Sequence, residues 1–377
     1  MSNYFDYAAA TPLDSEVLAA MTPYFTENFY NPSAQYKAAA AVKKAHDESR
    51  AAVAVVLGAR PTEIIFTAGG SEANNLAIYG VMSQFPGANC VTSAVEHESV
   101  LEPASRFERR LAVVLPDGRL DCKALENLID DNTALVSIMY ANNEIGTVQP
   151  LSSVATIVDG VRQDRRRRGI DRPIYFHTDA CQAANYLSLQ TSRLGVDLMT
   201  LNAGKMYGPK QSAVLYVKHG ILLQPLVLGG GQENGLRSGT ENVANHIGFA
   251  VALQKTSAMR ESESHRLMQL RDKLIAKLLQ DISGLTINGS QKHRLPNNIH
   301  ISISGQDNER LLYALDEQGI MVATGSACSA SSDDPSHVLT ALGLSSQETA
   351  SSLRISLGRQ TTAQSIEDLA AALKKLT

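Results

Sequence analysis

Short apolar segments alternate with segments of helical pattern between residues 50 and 220. We predict strands at residues 64–67, 90–95, 112–115, 135–140, 174–177, 198–201 and 213–217. We predict helices at residues 46–57, 72–84, 121–130, 151–163 and 182–193. Nearly continuous apolar strands that are separated by helices are typical of a parallel sheet covered on both faces. This alternation therefore predicts an α/β fold.

The pattern changes after Gly284, which follows a long predicted helix over residues 241–280. Residues 298–304 and 353–356 are predicted strands, and residues 309–318 and 365–376 are predicted helices. These elements predict a smaller α+β domain at the C-terminal end of the chain. We assign residues 14–255 to the large domain, and residues 1–13 and 256–377 to the small domain.

Composition excludes several classes of partner. The 377 residues carry a net charge of -4, so neither a polyanion nor a membrane surface is an evident partner. The basic run 165–168 is interpreted as a solvated helix end rather than a nucleic-acid site. No apolar stretch is long enough to span a bilayer, and the first residues lack a secretory pattern. The four cysteines lack metal-type spacing, which predicts reduced thiols, no metal site and a cytoplasmic location.

Asp179 and Lys205 each follow an apolar strand of the predicted sheet. Two neighbouring parallel strands would deliver this carboxylate and this amine to the same edge. Pyridoxal phosphate (PLP) needs such a pair, because a lysine forms a Schiff base with it and an acid keeps its ring nitrogen protonated. The sequence therefore suggests a PLP site at this edge.

Glycines and a hydroxyl stand between the first predicted strand and the helix that follows it. Gly69, Gly70 and Ser71 occupy this turn. Backbone N–H groups at a helix start attract a phosphate, and glycine lets the anion approach closely. The same residues are also compatible with an ordinary strand-to-helix turn that Ser71 caps.

Two further segments place polar side chains at strand ends. His97 follows the second predicted strand, where an imidazole can stack on a flat ring and assist proton transfer. Asn142 and Asn143 follow the fourth strand and can hydrogen-bond a ring oxygen or a substrate carboxylate. The alternatives are a loop histidine without function and an Asx-type turn.

Cys328 lies in a segment of small polar residues, 324–335. A free cysteine is usually buried as a small apolar residue. A thiol among glycine and serine residues is expected to be exposed and suits a nucleophile.

Together these segments resemble the cysteine desulfurases, PLP enzymes of fold type I that feed iron–sulfur assembly and tRNA thiolation. The motifs that carry the resemblance run in the family's order along nearly the whole chain. They are YFDYAAATP (4–12), NPS (31–33), EANNL (72–76), EH (96–97), NNEIG (142–146), HTDACQ (177–182), KMYGPK (205–210), GGGQ (229–232), RSGT (237–240), GSAC (325–328) and SLRISLGR (352–359).

The resemblance implies PLP fold type I, with a mostly parallel seven-stranded sheet in the large domain. It also implies how the cofactor is held. Lys205 would form the Schiff base and move protons, and His97 would stack on the ring. Asp179 would pair with the ring nitrogen, Gln182 with the phenolic oxygen, and Asn143 would lie beside the ring.

The phosphate and the substrate have their own implied contacts. Gly70 and Ser71, with Asn202, would hold the phosphate. Thr240 would reach the phosphate of a partner subunit, which implies a homodimer. Arg354 would bind the α-carboxylate of L-cysteine beside Asn31 and Asn143. Cys328 would attack the substrate sulfur, giving L-alanine and a persulfide for a sulfur-acceptor protein.

The chain departs from the family immediately before the lysine. The family usually has Ser-Gly-His-Lys, whereas this chain has Asn202, Ala203 and Gly204 before Lys205. A lost charge-assisted hydrogen bond costs about 1.5–3 kcal/mol, so we expect weaker PLP binding. Cys181 stands where Ala or Thr is more common and is interpreted as a small buried residue.

Two alternatives to a cysteine desulfurase stay open. A selenocysteine lyase or related β-lyase has the same fold, but it would not need the thiol of Cys328. A non-catalytic PLP-fold partner protein is the alternative from another class, and Gly204 is the feature that favours it.

Overall fold

The computed structural model describes residues 3–324 and 335–377. The described strands are β1 (Ile64–Thr67), β2 (Asn89–Ser93), β3 (Glu108–Ala112), β4 (Thr133–Ser137), β5 (Tyr175–Asp179), β6 (Leu198–Asn202), β7 (Ala213–Val217), β8 (Leu285–Ile287), β9 (Asn298–Ile303) and β10 (Ser352–Ser356). The described helices are α1 (Ser15–Met21), α2 (Pro23–Thr26), α3 (Lys37–Leu57), α4 (Gly70–Met82), α5 (Glu98–Ala104), α6 (Cys122–Leu128), α7 (Leu151–Arg168), α8 (Thr191–Leu194), α9 (Val243–Asp281), α10 (Asn308–Asp316), α11 (His337–Ala341), α12 (Ser346–Thr349) and α13 (Ala363–Leu376).

The larger sheet has seven strands among the described residues, in the order β1-β7-β6-β5-β4-β2-β3. Strand β7 runs antiparallel to both neighbours, and the other pairs are parallel. Only residues 203–212 connect β6 to β7, too few for the crossover that a parallel pair needs. The predicted mostly parallel sheet of PLP fold type I is confirmed.

Both faces of this sheet are buried, as the apolar strands predict. Neighbouring residues of one strand point into different cores. Phe66 packs into the core that contains α3 and α7, and Ile65 packs into the core that contains α4. Val136 and Leu135 divide between the same two cores. This two-residue alternation buries both faces under helices.

A second, antiparallel sheet has the order β10-β9-β8. Its core joins Phe5 near the N-terminus to Ile301, Leu353 and Leu369. The 39-residue helix α9 contributes to both parts of the molecule, because Leu253 lies in the first core and Leu267 in this one. The smaller C-terminal α+β unit is thus present, and the boundary at residue 255 stays a prediction.

Several local predictions differ from the structure. The helix predicted at 182–193 is wrong, because only α8 is helical there. The apolar residues of that segment are buried in the core but form turns, and burial alone does not distinguish a helix from a series of turns. The strand predicted at 112–115 lies at 108–112, an edge strand whose residues are partly exposed and therefore lack an apolar run. Strand β8 and helices α1, α2, α5, α11 and α12 escaped prediction. None of the described helices is both long and apolar enough to cross a membrane.

Candidate active site

A cavity of about 290 Å³ opens at the edge of the large sheet where its parallel strands end. It is lined by residues that follow β1, β2, β4, β5 and β6, and also by Arg354 from the smaller unit and by Ala8 and Ala9. Parallel strands place their carboxyl ends together, so residues far apart in sequence converge there. The cavity lies where the sequence predicts the PLP site.

Asp179 and Lys205 face this cavity from neighbouring strands. Strands β5 and β6 pair in parallel, with Asp179 opposite Thr200. The carboxylate is 7% exposed and accepts hydrogen bonds from Asn74 Nδ2 at 2.7 Å and from the Cys181 backbone N–H at 2.9 Å. Lys205 Nζ donates to the carbonyls of Ala8 at 3.0 Å and Ala9 at 2.6 Å. The structure therefore supplies the amine and the oriented carboxylate that PLP requires.

The turn before α4 forms an anion cradle. Gly69 caps the helix without a side-chain hydrogen bond, so the first N–H groups of α4 have no side-chain cap. Gly70 and Ser71 line the cavity. A Cβ on Gly70 would lie 3.2 Å from Cys181 Sγ and 3.4 Å from Asn202 Nδ2. A methyl group would thus fill the space that a phosphate needs, and the cradle fits the phosphate of PLP.

Asn202, rather than Gly204, faces the cradle. Its Oδ1 accepts the Gly204 N–H at 3.0 Å, which turns Nδ2 toward Gly70. The carbonyl of Gly204 accepts a hydrogen bond from Thr11 Oγ1 at 3.0 Å, so both the N–H and the carbonyl of Gly204 are held by hydrogen bonds. The unusual residues before Lys205 therefore place an amide donor at the cradle in the position that the family gives to a hydroxyl.

His97 is the N-cap of α5 and lines the cavity. Its Nδ1 accepts the backbone N–H of Ser99 at 3.0 Å and lies 2.8 Å from Ser99 Oγ. Asn74 Nδ2 donates to the same hydroxyl at 2.8 Å. The histidine is therefore anchored to the sheet edge rather than placed on an unattached loop.

The two adjacent asparagines have different surroundings. Asn142 Oδ1 accepts the backbone N–H groups of Glu144 and Ile145, which is the Asx-type turn that the sequence left open. Asn143 lines the cavity, and its carbonyl accepts from Arg354 Nη1 at 3.2 Å. Arg354 is 3% exposed and pairs with Asp6 Oδ1 at 2.7 Å. The guanidinium is therefore held in a fixed position at the wall of the cavity.

Two buried carboxyl groups and a histidine at this site escaped prediction. Burial raises the pKa of Glu96 to about 8, and Ser93 Oγ and the Met139 N–H both donate to its Oε1. Burial also raises the pKa of Glu144, which accepts from Ser336 Oγ at 2.6 Å. His337 lines the cavity and donates from Nε2 to the Glu96 carbonyl at 2.9 Å. Glu96 and Glu144 lie inside the quoted motifs, whereas no local pattern pointed to His337.

Cys181 lines the cavity beside Asp179. Burial and the Asp179 charge raise the pKa of this thiol well above its usual value. A thiol that stays protonated is a poor nucleophile. Cys181 is partly exposed in the cavity rather than fully buried as predicted.

The remaining predicted residues have varied positions. Gln182 lines the cavity, and its Nε2 donates to the Ala8 carbonyl at 3.0 Å. Asn31 and Thr240 are exposed and are not among the residues around the cavity, so their assignments stay predictions. Cys328 lies outside the described residues.

The segment that leads to Thr240 is anchored at Glu233. This residue and Asn234 have positive φ values of 49° and 59°, a conformation that L side chains rarely adopt. Glu233 accepts two hydrogen bonds from Arg50, at 2.6 and 2.7 Å, and one from the Phe66 N–H at 2.8 Å. Among the residues the structure describes, His46, His246 and Glu233 form a buried cluster. The Arg50 cation already neutralises its carboxylate, which disfavours a metal ion there.

Comparisons with known proteins show the family of the chain. Residues 3–369 match the family model described as aminotransferase class-V. Cysteine desulfurase IscS of Dictyoglomus turgidum is 41% identical over 370 residues, covering 96% of this chain and 91% of that protein. Cysteine desulfurase IscS of Methanosarcina thermophila is 39% identical, covering 97% and 89%.

Solved structures show the same similarity. A NifS-like protein superposes with a TM-score of 0.91 at 30% identity, covering 100% of this chain and 99% of that one. SspA, solved in complex with cysteine, superposes with a TM-score of 0.81 at 34% identity, covering 96% and 100%. The similarity extends over both parts of the molecule.

Proposed function

Because the chain belongs to the aminotransferase class-V family, we propose that it is a PLP-dependent L-cysteine desulfurase that makes L-alanine and a persulfide on Cys328. One observation carries this proposal. An amine, an oriented carboxylate and an anion cradle meet in one cavity, in a chain 41% identical to a cysteine desulfurase.

The side chains of the cavity divide the binding of PLP among them. Lys205 Nζ would bond to the cofactor aldehyde, and Asp179 would face the ring nitrogen. Ser71, Asn202 and the N–H groups of α4 would hold the phosphate. His97 would cover one face of the ring. When bound, PLP supplies an electron sink that makes the substrate Cα–H acidic.

Substrate binding and proton movement depend on Arg354 and Lys205, which line the same cavity. Arg354 would bind the α-carboxylate with its planar guanidinium, which is already held in place by Asp6 and Asn143. Lys205 lines the same cavity, and its amine would take the Cα proton and later return one to carbon. The solved structure of SspA in complex with cysteine supports L-cysteine as the ligand of this cavity.

Cys328 completes the reaction as the sulfur acceptor. Its thiolate would attack the substrate sulfur, so that the new S–S bond forms while the substrate Cβ–S bond breaks. The substrate carbon then gains protons and leaves as L-alanine, and the persulfide stays on the enzyme. We propose that this sulfur passes to an acceptor protein of iron–sulfur assembly or tRNA thiolation. A homodimer with Thr240 reaching the partner's cofactor and a cytoplasmic location complete this proposal.

The test measures visible absorption, alanine and sulfide for the purified protein with L-cysteine and a thiol reductant. A cysteine desulfurase would be yellow, and its alanine release would be lost in Cys328→Ala. Cys122→Ala is the matched control, because this half-buried thiol lies outside the cavity and its loss should leave the rate unchanged.

Two outcomes would contradict the assignment. Full alanine release by Cys328→Ala, or turnover of selenocysteine alone, would favour a β-lyase. A colourless protein that takes up no added PLP would favour a non-catalytic partner.

A further inference from the structure

A chain of hydrogen bonds links the two predicted cofactor contacts His97 and Asp179. It runs from His97 Nδ1 to Ser99 Oγ at 2.8 Å, from Ser99 Oγ to Asn74 Nδ2 at 2.8 Å, and from Asn74 Nδ2 to Asp179 Oδ2 at 2.7 Å. The resemblance assigns no role to Asn74 or Ser99. Asn74 is 1% exposed, and its bond to Asp179 is buried.

The direction of each bond follows from groups that cannot change their role. The backbone N–H of Ser99 points at His97 Nδ1 at 3.0 Å and is always a donor. Nδ1 of the neutral ring must therefore be an acceptor, so the ring proton resides on Nε2. The Ser99 hydroxyl then donates its single hydrogen bond to Nδ1 and accepts one from another group.

Asn74 Nδ2 donates one hydrogen bond to Ser99 Oγ and a second one to Asp179 Oδ2. Rotating its amide by half a turn would bring Oδ1 against the Asp179 carboxylate, where two acceptors would repel each other. Both amide hydrogens are thus used, one for Ser99 and one for Asp179. Asn74 Oδ1 is buried and has no hydrogen-bond partner among the described residues. An unsatisfied buried carbonyl destabilises the folded chain, so local stability alone does not explain the asparagine.

We propose that Asn74 and Ser99 are positioning residues, which orient the Asp179 carboxylate and hold His97 as the Nε2–H tautomer. His97 then enters the reaction as a hydrogen-bond donor and not as a base. This inference rests on PLP binding in the proposed function, but the tautomer can be observed without turnover.

The first experiment records ¹⁵N NMR spectra of the full chain with labelled histidine, with and without PLP. The His97 signals among the nine histidines are assigned by their loss in His97→Gln. An unprotonated Nδ1 and a protonated Nε2 are expected, and Ser99→Ala should shift the Nδ1 signal. A proton on Nδ1 in the unaltered chain would overturn the inference.

The second experiment titrates the apoprotein variants with PLP. A hydrogen bond to a charged group corresponds to about ten- to hundredfold in affinity, so Asn74→Leu should weaken PLP binding at least about tenfold. Ser99→Thr keeps the hydroxyl and should restore the NMR signal that Ser99→Ala shifts. Ser105→Ala is the matched control at the exposed end of the same helix.

Failure of this inference is distinguishable from failure of the proposed function. If Asn74→Leu changes only the melting temperature and binds PLP as the unaltered chain does, the residue is structural and the inference is wrong. If the tautomer and the affinities behave as expected but cysteine yields no alanine, the proposed reaction fails and the positioning roles stand.

Discussion

Replacing Gly70 by alanine tests whether the turn before α4 is the phosphate cradle. The added Cβ would lie 3.2 Å from Cys181 Sγ, 3.4 Å from Asn202 Nδ2 and 3.6 Å from Asn202 Cβ. Overpacking of this kind costs about 1–3 kcal/mol, and alanine regains up to about 1 kcal/mol over glycine in a helix. We therefore expect the apoprotein to lose at most about 3 kcal/mol of stability.

The effect on the cofactor should be larger than the effect on the apoprotein. A methyl group between the first N–H groups of α4 and the phosphate would lengthen charge-assisted hydrogen bonds. Each is worth about 1.5–3 kcal/mol, so PLP affinity should fall about ten- to hundredfold. The assay titrates apoprotein with PLP by absorbance, beside urea denaturation of the apoprotein.

Two controls separate loss of the anion site from loss of packing. Gly69→Ala should bind PLP normally, because its Cβ meets nothing within 4 Å and its φ of 174° is open to any residue. The double variant Gly70→Ala with Cys181→Ala removes the 3.2 Å contact and should recover stability but not affinity. Unchanged PLP affinity in Gly70→Ala, or full recovery of affinity in the double variant, would refute the reasoning.

Three further predictions follow from other contacts. Asn202→Ala should weaken PLP binding about tenfold in the same titration, because the Asn202 amide faces the cradle. Gly204→His should strengthen PLP binding. Affinities equal to that of the unaltered chain would contradict the expected role of this turn. Burial lowers the pKa of His46 to about 4, so its contribution to stability is present above the unfolded value near 6.5 and is lost as the pH falls toward 4. His46 should contribute about 2 kcal/mol of the loss that urea denaturation shows between pH 6.5 and 5. Burial also lowers the pKa of His177, His246 and His300, so His46→Leu should remove only the His46 part of this dependence. Glu233→Ala should lower stability in urea denaturation by about 3–5 kcal/mol, because the Arg50 guanidinium, whose side chain is only 14% exposed, loses its counter-charge. Breaking the exposed Lys43–Asp47 pair should change stability by less than about 1 kcal/mol.

The sequence predicted the large sheet well because buried parallel strands leave continuous apolar runs. Strands β1 and β7 lie where they were predicted, residue for residue. The prediction was wrong at residues 182–193, where buried alanines and leucines mimic a helix, and was displaced at β3, where an exposed edge strand carries arginines instead of apolar residues.

The candidate site was partly predictable because its side chains follow strand ends. Asp179, Lys205 and His97 were singled out for that reason, and all three line the cavity. Asn74 and His337 were missed. Asn74 lies in the middle of a helix, where nothing local distinguishes it from a packing residue, and His337 reaches the cavity from the smaller unit.

The sequence by itself determined the fold class, the reactive amine and carboxylate, and the family to which the chain belongs, because these depend on local patterns and ordered motifs. Only the tertiary structure decided which donors surround Asp179, which way the Asn202 amide points, and which of two adjacent asparagines faces the cavity. Two of these choices depend on groups that are distant in the chain and meet at one sheet edge: Asn74 and Asp179 are separated by 105 positions, and Asn143 and Arg354 by 211. The direction of a hydrogen bond is set by its partner, and the partner is known only once the chain has folded.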